Sequence, residues 1–230
     1  MRDGRLLYID RDNVLHCLDE ANGHEFWQMP LGAAAVGPPV IEHRNVRIAT
    51  SDGRVAFVDA IDGRVGNALR CPAGISTRVA HQNGVLWFGA ADGRVRAVDE
   101  SSGRALWAID VGRPLADGEL VLARTGVLAL GSDQRLVRLD RVGGQQLAVT
   151  ELPAASVLQS MRVRGNQLVT VVRFPREGQR QAHDLLQARD IETLALLWEY
   201  EDEGMFTGAP SVDGAFVAVA GSDGDVVLLR

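Results

Sequence analysis

The sequence predicts an all-β fold, a β-propeller of about six blades, on three observations. An apolar residue followed by Asp recurs as Leu18-Asp19, Val58-Asp59, Val98-Asp99 and Leu139-Asp140, spaced 40, 40 and 41 residues apart, and Asp190 follows after 50. A Gly stands four residues after each of the first four (Gly23, Gly63, Gly103, Gly144), and a Trp eight after three of the five (Trp27, Trp107, Trp198). Turn sequences of one type recur upstream, as Ser51-Asp52-Gly53-Arg54, Ala91-Asp92-Gly93-Arg94, Ser132-Asp133-Gln134-Arg135 and Ser222-Asp223-Gly224-Asp225. No stretch carries a capped 3.6-residue apolar period, so no helix is expected.

Each unit reads as four short strands, A to D from the inside outward. In the third unit, Gly84 to Gly89 is an apolar strand B, and Asp92-Gly93 turns the chain. An Asp-Gly pair between apolar runs predicts a type I′ hairpin with positive φ at both central residues. Val95 to Val98 alternates as a half-buried strand C, and Asp99 to Gly103 turns into strand D at Ala105 to Ile109. A Pro/Gly crossing, Val111 to Pro114, then leads to strand A of the next unit near Leu120 to Leu122. The first unit has too few residues before it for a strand A, and the last has none after it for a strand D. The inventory is therefore 22 strands, distributed three, four, four, four, four and three. Residues 1–230 are expected to form a single propeller domain, either a compact six-bladed ring or an incomplete part of a larger assembly. Open blade edges would favour self-association.

Composition narrows the function classes. The chain is 46% hydrophobic with net charge −6, which does not favour nucleic acid or an anionic membrane. No run approaches the ~18 apolar residues of a membrane span. The first residues, Met1 to Tyr8, contain no apolar leader core, which predicts a cytoplasmic protein, or a periplasmic one if an N-terminal segment is missing. All 24 basic residues are arginine, a sign of GC-rich, bacterial codon usage.

The pattern apolar-x-Gly-x-x-Asp-Gly-x-apolar-x-Ala-apolar-Asp-x-x-x-Gly-x-x-x-Trp resembles the repeat of the pyrroloquinoline-quinone (PQQ)-like propellers. That family includes quinoprotein dehydrogenases, a barrel-assembly propeller lipoprotein and sensor propellers of bacterial kinases. The resemblance implies that Trp27, Trp107 and Trp198 dock between adjacent blades, and that docking is weaker where Asn67 and Ala148 stand in their place. It also implies what a cofactor would need: a disulfide of adjacent cysteines, a tryptophan beneath the quinone, and calcium held by carboxylates and an Asn. Cys17 and Cys71 are 54 residues apart, so no cofactor is expected.

Other candidates reduce to structure. His16, His24, His43, His81 and His183 have no metal-ligand spacing, and His43 and His81 read as turn histidines at matching phases, so no metal is expected. Asp10-Arg11-Asp12-Asn13 lacks the Gly and distal Glu of a calcium loop and reads as the B-to-C turn of the first blade. The recurring Asp-Gly-Arg sets Asp and Gly by turn geometry and leaves Arg solvated. Cys17 and Cys71 read as structural thiols.

One departure remains. The fifth unit carries about ten extra residues between strand B (Leu168 to Val172) and strand C (Leu185 to Ala188). This insertion, 173–183, reads either as a solvated spacer in a tolerant loop or as a partner contact through Arg173, Phe174, Arg176 and Arg180, an aromatic-arginine combination enriched in interface hot spots. The expected function is therefore a non-catalytic protein-interaction scaffold or complex subunit with unidentified protein partners, no nucleic acid and no catalytic residues. The alternatives are a ligand-sensing propeller, or a fragment of a larger receptor, kinase or quinoprotein-like chain.

Overall fold

The computed structural model describes residues 4–42, 44–111, 120–131, 134–175, 177, 181–202, 204–214 and 216–229. It falls into two compact units, Met1–Asp117 and Gly118–Arg230. Each holds three antiparallel sheets.

In the first unit, β1 (Arg5–Ile9), β2 (Val14–Asp19) and β3 (Glu25–Pro30) form a three-stranded meander. Next come β4 (Val40–Glu42), β5 (Asn45–Ala49), β6 (Arg54–Asp59) and β7 (Val65–Arg70), then β8 (Ala80–Gln82), β9 (Val85–Gly89), β10 (Arg94–Asp99) and β11 (Ala105–Asp110). The second unit holds β12 (Val121–Leu122), β13 (Gly126–Leu130), β14 (Arg135–Asp140) and β15 (Gln146–Glu151). It continues with β16 (Val157–Arg164), β17 (Gln167–Phe174), β18 (His183–Asp190) and β19 (Leu196–Asp202), and ends with β20 (Ser211–Val212), β21 (Val217–Ala220) and β22 (Val226–Leu229). The described residues thus contain 22 strands in six sheets, the first and last with three strands. These are propeller blades, incomplete at both chain ends as the repeat arithmetic predicts. Among the described residues no helix is long and apolar enough to cross a membrane.

Neighbouring sheets bury their faces against each other. Leu15 and Leu31 of the first blade pack with Val46, Ile48, Ala56 and Val58 of the second. Val55 and Ile75 pack with Leu86, Phe88 and Val98 at the next junction. In the second unit Val169, Val171 and Leu186 meet Phe206, Val217 and Val219. Each sheet is too thin to form a core alone, so this face-to-face burial is what makes the repeat fold.

The recurring Asp and Gly have distinct work. At the outer turns, Asp59 Oδ1 accepts the Ile61 N–H at 2.7 Å, and Asp140 Oδ1 accepts those of Val142 and Gly143 at 3.0 and 2.6 Å. Asp99 accepts two serine hydroxyls and the Ser102 N–H, which holds its carboxyl down at about 2. The B-to-C turns differ from the type I′ expectation. Thr50 accepts from the Gly53 N–H at 2.9 Å and donates to Arg54 O at 2.8 Å, and positive φ falls on Gly53 (+89°) and not on Asp52. This is a three-residue turn closed by one left-handed residue. Asn13 (φ 59°) and Gln134 (φ 69°) occupy that position where Gly is missing.

Strand D carries a feature that the repeat pattern does not reveal. Each C–D pairing shifts register once, as at Cys17/Leu18, Ala97/Val98, Arg138/Leu139 and Ala188/Arg189. The residue skipped in strand D by each of these shifts is Phe26, Leu106, Leu147 or Leu197, all 42–50% exposed. Beside each bulge the cross-strand pair divides volume unequally: Trp27 faces Cys17, Trp107 faces Ala97, and Trp198 faces Ala188. In the fourth sheet the order reverses, with Ala148 facing Arg138. In the second sheet, too, the bulk moves to strand C: Phe57 packs into the cluster shared with the third sheet, while strand D carries Asn67. Large and small residues alternate across facing positions so that the layer between blades stays filled.

Candidate interaction site

The insertion lengthens a hairpin rather than replacing its strands. β17 and β18 pair over eight positions, from Gln167↔Asp190 to Phe174↔His183. Arg173, Phe174 and His183, expected in the loop, therefore belong to the sheet. The Phe174 and His183 rings stack with centroids 4.8 Å apart and planes 5° from parallel. His183 Nε2 lies 3.3 Å from Glu201 on β19. Arg176 and Arg180 lie outside the described residues.

Arg173 is engaged within the chain, for a reason that the other blades explain. In the first four sheets the residue after strand D donates its N–H to the left-handed turn residue: Leu31 to Asn13, Cys71 to Gly53, Val111 to Gly93 and Leu152 to Gln134, at 2.7–3.0 Å. The insertion replaces that turn in the fifth sheet. Here Asp184, fully buried, accepts the Arg173 Nε and Nη2 at 2.7 Å each. Asp184 Oδ2 also accepts the Phe206 N–H at 2.6 Å, and Arg173 Nη2 donates to Phe206 O at 3.0 Å. The ion pair thus holds both backbone groups of Phe206, whose bridge to Gly221 opens the sixth sheet. Its hydrogen bond to Asp184 raises the Arg173 guanidinium above its ordinary value.

The tryptophans lie as follows. Trp27 donates Nε1 to Ala60 O of the second sheet at 3.2 Å. Its ring covers Gly63, where a Cβ would meet Cδ2 at 2.8 Å, so that glycine serves both the turn (φ +70°) and the close approach. Trp198 packs against the cluster joining the fifth and sixth sheets, and Trp107 is 9% exposed. In the second sheet Leu69 takes the corresponding seat against Gly103.

Polar side chains on the strands are likewise bound up in internal contacts. His16 lies between Glu25 (3.0 Å) and Asp10 (3.1 Å) and stacks on Tyr8 at 4.6 Å; the bonds to Glu25 and Asp10 raise its pKa against a smaller effect of burial. His81, read from sequence as a turn residue, is on β8 with its side chain 8% exposed between Glu42 and Glu100. His43 lies outside the described residues. Cys17 and Cys71 are free, buried thiols. Among the described residues no group of three His, Cys, Asp or Glu is placed to hold a metal ion.

Stacked four-stranded sheets with an Asp-capped outer turn and a strand-D tryptophan define a PQQ-like β-propeller of bacterial type. The chain belongs to the PQQ-like family described as outer membrane protein assembly factor BamB, which matches residues 1–87 and 91–230. It is 28% identical over 146 residues to the outer membrane protein assembly factor BamB of Nitrosomonas eutropha, covering 60% of this chain and 34% of that one. The chain therefore spans about a third of the length of the curated relative it matches. Among solved structures it resembles BamB from Moraxella catarrhalis, with TM-score 0.76 and 15% identity over 99% of this chain and 70% of that one. It also resembles the quinohemoprotein alcohol dehydrogenase ADHIIG from Pseudomonas putida HK5, with TM-score 0.71 and 13% identity over 98% and 55%. Likenesses this distant in sequence establish the fold alone.

The family corrects the cytoplasmic assignment. Its members are named for work on outer membrane proteins, which takes place outside the cytoplasm. That assignment rested on the residues Met1 to Tyr8, and a chain matching a third of its relative carries no information about a leader.

Proposed function

We propose that this propeller is a non-catalytic scaffold that binds protein partners during assembly of outer membrane proteins. The observation that carries this reading is the family match across nearly the whole chain. The internal pairing of His16, His81 and His183 with carboxylates supports it, because these groups serve the sheets. In this reading Trp27, Trp107 and Trp198 seat one blade on the next and keep the platform rigid. The contact surface is the far end of the β17–β18 hairpin, with Phe174, Arg176 and Arg180, while Arg173 anchors it from within.

Beyond the Phe174–His183 pair the hairpin carries more residues than a short turn needs, and ordering them costs about 1 kcal/mol or more per residue in backbone entropy. Recovery of that cost on binding explains a sequence that sets an aromatic next to arginines. Replacing Pro175 to Gln181 by an Asp-Gly turn leaves Phe174, His183 and the Arg173–Asp184 pair in place. The expected result is an unchanged melting temperature with loss of capture of outer membrane assembly components from the native bacterium. Undiminished capture would contradict the contact.

A further inference from the structure

Four ionisable side chains from two neighbouring sheets close a ring inside the first unit. Arg47 on β5, 5% exposed, donates Nε to Glu100 Oε1 at 2.5 Å, and its Nη2 lies 3.0 Å from Glu42 Oε2. His81 on β8 completes the circuit, with Nδ1 2.8 Å from the same Glu42 oxygen and Nε2 2.9 Å from Glu100 Oε2. Glu42 ends β4, and Glu100 follows β10. The ring therefore ties strands A and B of the second sheet to strand A and the outer turn of the third.

Its hydrogen-bond arithmetic depends on one proton. A neutral imidazole has a single N–H, so between two carboxylates it turns a lone pair toward one of them. The imidazolium has a donor for each. The Nε2 approach to Glu100 is close but off-axis, leaving this buried nitrogen without a directional hydrogen bond, so the contact is chiefly one of charge. The groups facing His81 are Glu42 from β4, Arg47 from β5 and Glu100 from the turn after β10; on β9 its cross-strand partner is the apolar Leu86. Arg47 keeps its charge at any working pH. Burial pushes Glu100 upward, but the Arg47 hydrogen bond, with the charges of Arg47 and His81, brings it below its ordinary value.

We propose that this ring is a proton-operated latch between the second and third sheets. With both His81 nitrogens protonated, charges alternate around the circuit and β4 is held to β8. Loss of the proton leaves Glu100 facing a lone pair, and the His81 side of the ring opens. The latch is closed while His81 carries a proton on both nitrogens and opens when one of them leaves. It fails again on the acid side where a carboxylate of the ring takes up a proton, which the lowered value of Glu100 defers at that corner.

Amide hydrogen exchange on the full chain tests this, compared at about pH 6 and about pH 8 after correction for intrinsic rates. The expected result is that β4 and β8 lose protection at the higher pH while β13 and β14 do not. In His81→Gln, β4 and β8 should show the same protection at both. His16 remains in both proteins, so its own titration cancels. Wild-type protection in β4 and β8 that ignores pH would overturn the latch, as would a pH response retained in His81→Gln. If that variant does not fold, an NMR titration of the wild type decides: the β8 amide shifts should follow the His81 ring, and their failure to do so contradicts the proposal.

Discussion

Asp184→Ala is expected to destabilise the second unit by about 3 kcal/mol or more, the usual cost of removing one member of a buried ion pair. Asp184 has no exposure and accepts three hydrogen bonds, two from Arg173 and one from the Phe206 N–H. The alanine leaves a guanidinium and a backbone donor without their acceptor. The Arg173 side chain keeps 30% exposure, so water recovers part of the loss and places the effect at the lower end of that range. Asp184→Asn retains the shape and one acceptor oxygen and should cost less. Urea unfolding followed by far-UV circular dichroism measures both, and an alanine variant within about 0.5 kcal/mol of wild type would mean that the pair does not hold Phe206.

Trp107→Ala is expected to cost about 3 kcal/mol or more, as truncation of buried aromatics does. The ring is 9% exposed and stands beside Ala97, which has no exposure and no bulk with which to refill the space. The neighbouring strand cannot collapse inward, because the bulge at Ala97/Val98 fixes its register. A loss below about 1 kcal/mol in equilibrium unfolding would show that Trp107 is not wedged in a packed layer.

The features legible in the sequence were those that local backbone geometry dictates. Asp19, Asp59, Asp99, Asp140 and Asp190 recur because the outer turn needs an acceptor for its free N–H groups, and Gly53 and Gly93 recur because one turn residue must be left-handed. Those requirements repeat with the blade, so the blade number and the three-strand first and last sheets could be counted. Relationships between strands could not. The strand-D bulge is a matter of register, and the transfer of bulk from Asn67 and Ala148 to Phe57 and Arg138 makes sense once the facing pairs are known. Asp184 lies across a hairpin from Arg173, and Arg47 lies 53 residues from Glu100, so neither pair leaves a local pattern. The insertion was visible as an excess of length, but its division into lengthened strands was not, because Arg173, Phe174 and His183 look like loop residues until their partners are placed.

A scaffold is defined most directly by where it makes contact in the living cell. A photoreactive side chain introduced at Gln181, with illumination of the native bacterium and mass spectrometry of the products, measures that. The predicted result is crosslinking to components of outer membrane protein assembly or to the outer membrane proteins undergoing it, with far less from a control position on the outer turn at Val142. Crosslinks equal from both positions, or products confined to cytoplasmic proteins, would contradict it.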